Sequence, residues 1–97
     1  MHVDVRFYGF TRDVVGGSRV ELEMPAQSTL RELFNQLVKN LGEGLRERLF
    51  TSSGDLETNV KVFLGDTQAM TLEEAISDHQ GASAEVKVFV LSAAAGG

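Results

Sequence analysis

The sequence predicts an α+β domain: a mixed sheet of four to five strands with one main helix packed on one face. Three observations predict it. Four short segments alternate apolar and polar residues with period two. One longer segment, between the second and third of them, repeats its apolar residues every three to four positions. The chain has 97 residues, 42% of them hydrophobic, which is enough for a single core.

Val3, Val5 and Phe7 alternate with His2, Asp4, Arg6 and Tyr8, and Gly9 ends this first strand. The turn Gly16-Gly17-Ser18 leads into a second, in which Val20, Leu22 and Met24 alternate with Arg19, Glu21 and Glu23. Pro25 stops it by removing a ladder donor. Leu30, Leu33, Phe34, Leu37, Val38 and Leu41 then form the stripe of an amphipathic helix closed by Gly42. Thr29-Leu30-Arg31-Glu32 fits a capping box, in which the Thr29 hydroxyl and the Glu32 carboxylate satisfy each other's backbone amides. Leu45, Leu49 and Phe50 predict one further apolar turn, followed by a polar loop over 51–57. Val60, Val62 and Leu64 make a third strand ended by a tight turn at Gly65-Asp66. Thr71-Leu72-Glu73-Glu74 repeats the capping-box pattern ahead of Ala75 and Ile76, and Val86, Val88 and Val90 form the last strand.

The order is strand, strand, helix, strand, short helical turn, strand. Placing the first and last strands side by side in a mixed sheet is its compact solution, the β-grasp arrangement. The domain is expected to span 1–91, with a flexible tail at 92–97.

Composition narrows the function. Cysteine is absent, which excludes disulfides, thiolate-held metals and a cysteine nucleophile. The two histidines, His2 and His79, lie too far apart for metal-site spacing, and no metal is expected. The net charge is −5 and the nine Lys and Arg are scattered, which argues against nucleic acid as a partner. No apolar run approaches the roughly 20 residues of a membrane span, and the N-terminus enters a strand pattern at once instead of a signal peptide. A soluble, cytoplasmic protein is expected. Walker loops, paired histidines and a Ser/His/Asp set are missing, and the Asp and Glu side chains fall on polar faces where solvation accounts for them.

The tail Ser92-Ala93-Ala94-Ala95-Gly96-Gly97 is different: six small residues with no charge, ring or branch. A final glycine pair arises by chance about 0.5% of the time at average glycine usage. A frayed terminus would account for it too, but chemistry gives it a purpose. An enzyme that modifies a carboxylate with ATP must bring the terminal carbon against the α-phosphate and hold it in line. Glycine lets the backbone pass a narrow channel and leaves the acyl carbon unhindered. A second signal lies next to it. If the valines of the last two strands face the helix, Phe63, Phe89 and Leu91 point the other way, with Tyr8, Lys61 and Lys87 beside them. Single surface aromatics are ordinary, but this set adjoins the tail and suits a docking surface.

Several stretches resemble the ubiquitin-like sulfur carriers: the small subunit of molybdopterin synthase, the thiamine-pathway and cysteine-pathway carriers, and the archaeal ubiquitin-like modifiers. They are Val5-Arg6-Phe7-Tyr8-Gly9-Phe10-Thr11-Arg12-Asp13-Val14-Val15-Gly16, Ser28-Thr29-Leu30-Arg31-Glu32-Leu33, Asn59-Val60-Lys61-Val62-Phe63-Leu64-Gly65-Asp66, and an ending in Val88-Phe89-Val90-Leu91 and Gly96-Gly97. The resemblance covers nearly the whole chain, and the diglycine is its specific element. Two places depart from the family pattern. His79-Gln80-Gly81-Ala82-Ser83-Ala84-Glu85 stands where members show Asp-Gly-Asp-Glu, and Ser92-Ala93 stands where many carry two prolines, so this tail is expected to be floppier.

The resemblance implies a cycle. A ubiquitin-activating-type adenylyltransferase uses ATP to adenylate the Gly97 carboxylate, and sulfur delivery converts it to a thiocarboxylate. A sulfur-accepting enzyme, such as the large subunit of molybdopterin synthase, then takes the sulfur. By the same analogy Tyr8 and Leu91 contact the partner, as do Phe63, Phe89 and Gly96 in the reading above. The chain binds no cofactor of its own and is not a catalyst alone. Two alternatives stay open: a modifier conjugated to lysines through Gly97, and a β-grasp interaction module with an incidental tail.

Overall fold

The computed structural model describes residues 1–9, 19–76 and 83–91. The glycine turn at 16–18, His79 and the tail with Gly96 and Gly97 lie outside the described residues. The elements are β1 (His2–Gly9), β2 (Arg19–Glu23), α1 (Leu30–Leu41), α2 (Glu43–Leu49), β3 (Val60–Leu64), β4 (Thr67–Gln68) and β5 (Ser83–Val90). The strands form one five-stranded sheet in the order β2-β1-β5-β3-β4. β1 pairs antiparallel with β2 and parallel with β5; β3 pairs antiparallel with β5 and β4. The first and last strands are therefore neighbours in a mixed sheet, the arrangement expected from the element order.

Register sorts the side chains. Val3 lies beside Leu22 and Ala84, Val5 beside Val20 and Val86, and Val62 beside Val88. This inner face meets Leu30, Leu33, Phe34, Leu37 and Val38 of α1, all buried. Each such side chain contributes about 1.5–3 kcal/mol on leaving water, so the helix is held by its apolar stripe more than by propensity.

The start of α1 is satisfied completely. The Glu32 amide donates to the Thr29 hydroxyl at 3.2 Å and the Thr29 amide to the Glu32 carboxylate at 2.9 Å, so both halves of the capping box form. The Leu30 and Arg31 amides donate to the carbonyls of Glu74 and Leu72 at 3.1 and 2.8 Å. No amide of this first turn is left over for an anion.

Three details differ from the sequence reading. The apolar turn after Gly42 is a seven-residue helix, because Leu45 and Leu49, four positions apart, are both fully buried against the core. That packing outweighs the roughly 1 kcal/mol that Gly44 costs a helix interior. The box at Thr71 forms by half. The Glu74 carboxylate accepts from the Thr71 and Met70 amides, but the Thr71 hydroxyl accepts from the Glu73 amide. With the Leu72 and Glu74 carbonyls turned toward α1, this backbone is not free to wind into a helix. Gly65-Asp66 is the expected tight turn, and it opens onto the two-residue strand β4. Gly65 sits at φ 61°, the positive value that the first position of a two-residue hairpin loop calls for.

Candidate functional site: the outer face of the sheet and its exit strand

The face turned away from the helices is divided. Alternation along β1, β5 and β3 sends Tyr8, Phe89 and Phe63 outward at the end of the sheet where β5 finishes. Tyr8 and Phe89, adjacent in register, stack with ring centroids 4.6 Å apart and planes 11° from parallel. Phe63 meets Phe89 edge-on, at 5.6 Å and 80°. Such pairs add about 0.5–1.5 kcal/mol beyond their buried area, so the three rings form a fixed platform. Leu91 extends it, 52% exposed, and Tyr8 is 39% exposed. Lys61 lies opposite Phe89 on β3 and is exposed. A shallow cleft of about 220 Å³ runs beside the platform, lined by Phe63, Gly65, Asp66, Lys87 and Phe89. Lys87 is shared between Asp66 at 3.8 Å and Glu85 at 3.6 Å, so it belongs to the charged half of the face more than to the apolar one.

That charged half is centred on Asp4, whose side chain is 15% exposed. Its carboxylate accepts from Arg19 Nε at 2.8 Å and from Arg6 Nη2 at 3.3 Å. Burial pushes the carboxyl up, but the hydrogen bonds and charges of Arg19 and Arg6 outweigh it and hold Asp4 below its ordinary 3.8. The same bond and charge raise Arg19. A carboxyl lowered in the folded state stabilises the fold above its unfolded value, and this contribution is lost as pH falls through the folded value. The Asp4→Asn variant is therefore expected to be less stable than the wild type at neutral pH, by on the order of 1 kcal/mol given the half-exposed arginines. The gap should close below pH 3.8, the reference from which Asp4 is lowered. Thermal unfolding of both proteins from pH 7 downward checks this; a constant gap would mean that the carboxylate's charge contributes nothing.

Of the residues singled out from sequence, Tyr8, Phe63, Phe89 and Leu91 come together at one end of one face. Gly96 and Gly97 lie outside the described residues. β5 ends at Val90, so the platform stands at the end of the strand that leads toward them.

Two features escaped the sequence reading. The Leu91 amide donates to the Asn59 carbonyl at 2.9 Å, and Asn59 Nδ2 donates back to the Leu91 carbonyl at 2.9 Å. On the other side of β5, Gly9 is packed so closely that an added Cβ would lie 2.0 Å from the Val90 carbonyl oxygen. The position of Asn59 just ahead of a strand was the available signal for the first. Gly9 was read only as a strand end.

A larger cleft, about 450 Å³, is lined by residues that include Arg31, Met70, Leu72 and Glu73 and by none of the expected site residues. Its cation is already engaged: Arg31 donates to Glu73 at 2.6 Å and to the Gly54 carbonyl at 3.3 Å. Among the described residues no group of three or more His, Asp or Glu could hold a metal ion, and no helix is long and apolar enough to cross a membrane.

No protein-family model and no curated protein matches the chain. Solved structures do. Small archaeal modifier protein 1 of Haloferax volcanii superposes with TM-score 0.79 at 22% identity, over 94% of this chain and 98% of that one. A Pyrococcus furiosus protein provisionally designated molybdopterin converting factor subunit 1 gives 0.71 at 20% identity, over 95% and 99%. A chain of the BexX/CysO complex of Amycolatopsis orientalis gives 0.70 at 18% identity, over 93% and 96%. Identities this low speak for the fold alone. The chain has the ubiquitin-like β-grasp fold, and its structural neighbours fall in the group of small ubiquitin-like proteins that the sequence resembles.

Proposed function

We propose that this protein is a sulfur carrier whose reactive group is the Gly97 carboxylate. One observation carries the reading: the strand that leads to the diglycine is the central strand of a β-grasp sheet and leaves it beside an ordered aromatic platform. A partner docked on Tyr8, Phe63, Phe89 and Leu91 has the following six residues within reach, and at about 3.3–3.6 Å per residue they extend roughly 20 Å. That is enough to carry an acyl end into a neighbouring active site.

The chemistry belongs to the partners. A ubiquitin-activating-type adenylyltransferase binds ATP; a carboxylate oxygen of Gly97 attacks the α-phosphorus and pyrophosphate leaves. A sulfide-level nucleophile then adds to the acyl carbon and AMP leaves, giving the thiocarboxylate. Neither step needs a cofactor held by this chain. The platform fixes the reacting end relative to the partner, which is the entropic part of the barrier. The fold neighbour designated as a molybdopterin converting factor subunit favours molybdopterin assembly as the destination, with the large synthase subunit as acceptor. The BexX/CysO complex gives a precedent for a protein of this fold in complex with a partner.

Intact-mass measurement of the protein isolated from its own cells tests the reading. A fraction heavier by the difference between sulfur and oxygen, which gains one alkyl group at the C-terminus when treated with an alkylating agent and falls to the unmodified mass when hydrolysis replaces the sulfur with oxygen, is the expected result. The archaeal modifier among the neighbours favours a second reading, in which Gly97 is joined to lysine amines of other proteins. Isopeptide-linked Gly97 in digests of cell protein, with no thiocarboxylate, would establish the modifier and remove the carrier.

A further inference from the structure

We propose that Asn59 is a positioning residue that fixes the point and direction at which the chain leaves the sheet toward its C-terminus. The inference rests on the carrier reading for its purpose, and on the local geometry for its substance. The β3–β5 ladder ends at the pair Val60 and Val90. The next pair would be Asn59 with Leu91, and in an ordinary antiparallel ladder these two would exchange main-chain bonds. Only one of those bonds is main-chain: the Leu91 amide donates to the Asn59 carbonyl at 2.9 Å. The chain ahead of β3 is a turn, closed by the Val60 amide on the Glu57 carbonyl at 3.0 Å. The return bond to the Leu91 carbonyl therefore comes from the Asn59 side chain, at 2.9 Å.

The opposite side of the exit is held as well. Gly9 is paired with Val90, and its backbone sits where a Cβ would overlap the Val90 carbonyl oxygen. Leu91 is thus gripped by Asn59 on the β3 side immediately after Val90 is fixed by Gly9 on the β1 side. The residue is half out of the protein, 52% exposed, and its apolar contacts alone would not hold it. A side-chain amide that donates across a strand end extends the ordered chain by one residue without extending the ladder. For a protein whose reactive end lies six residues further on, that residue is, among the described residues, the last one the sheet itself holds in place before the diglycine. Order provided before docking is order that docking need not impose, so the clamp lowers the KM for the activating partner and leaves kcat to the partner's own channel.

The test uses the full chain with Asn59→Ala and Asn59→Asp. Alanine removes the donor. Aspartate keeps the shape but sets a carboxylate oxygen against the Leu91 carbonyl, so a packing role would rank it with the wild type whereas a donor role ranks it below alanine. Amide hydrogen exchange at Leu91 is expected to quicken by about five- to tenfold in Asn59→Ala and further in Asn59→Asp, while exchange at Val62 and Val88 stays the same. In ATP–pyrophosphate exchange with the activating enzyme of the same cells, KM is expected to rise roughly three- to tenfold with kcat unchanged. Unchanged exchange at Leu91 overturns the clamp. Faster exchange with an unaltered KM overturns the positioning role, leaving Asn59 as a fastener of the sheet's end. If the wild type itself is never activated, the carrier reading falls, and the clamp is judged on Leu91 exchange alone.

Discussion

Replacing Gly9 with alanine is expected to cost about 3–5 kcal/mol, a large part of the roughly 5–15 kcal/mol that a domain of this kind has. Two effects add. Gly9 has φ 87°, a left-handed value that side-chain-bearing residues adopt at a cost of order 1 kcal/mol or more. The added Cβ would also lie 2.0 Å from the oxygen and 3.0 Å from the carbon of the Val90 carbonyl. Those atoms belong to the backbone of the central strand and cannot swing aside as a side chain would. The melting temperature should fall by at least about 12 °C. Gly54 provides the comparison: it has the same φ of 87°, but its nearest neighbour would be Arg31 Nη1 at 3.9 Å. Gly54→Ala should therefore show the strain without the collision and lose only about 1 kcal/mol. Circular dichroism melts of the two variants separate the effects. Equal losses would show that the end of β1 can draw away from β5 freely.

Deleting Gly97 is expected to leave the melting curve of the protein unaltered and to lower kcat/KM for adenylation by more than about a hundredfold. The penultimate glycine would supply a carboxylate of the same chemistry, so the loss tests reach and not reactivity. One residue shortens the tail by about 3.3–3.6 Å, and a misplacement of 1 Å at a reacting centre can cost about 10²-fold. ATP–pyrophosphate exchange measures it directly. A deletion variant activated as well as the wild type would end the account of Gly97 as the reacting residue.

Much of this was open to reading in the chain. The capping box at Thr29 and Glu32 formed in both halves because its partners are three residues apart and depend on nothing distant. The outward set Tyr8, Phe63 and Phe89 could be placed because a period of two assigns a face once the inner face is known. What stayed hidden depends on contacts between distant segments. Strand β4 has two residues, too few to show a period. The half-formed box at Thr71 had the right residues, but α1 takes the carbonyls of Leu72 and Glu74. Gly9 was read only as a strand end and Asn59 was given no role of its own, and only the neighbouring backbone shows why each residue type is needed there. The Asp4 pairing joins positions 4 and 19, and alternation alone does not choose which of the surrounding arginines it meets.

The sheet order has a consequence for synthesis. The strand made last, β5, is the middle one, flanked by β1 and β3. A ribosome that stalls before Ser83 releases a polypeptide whose remaining strands have no common neighbour to pair with, and such a fragment leaves its valines and leucines bare for proteases. Folding thus serves as an inspection of length: any molecule that passes it has been translated into its last strand.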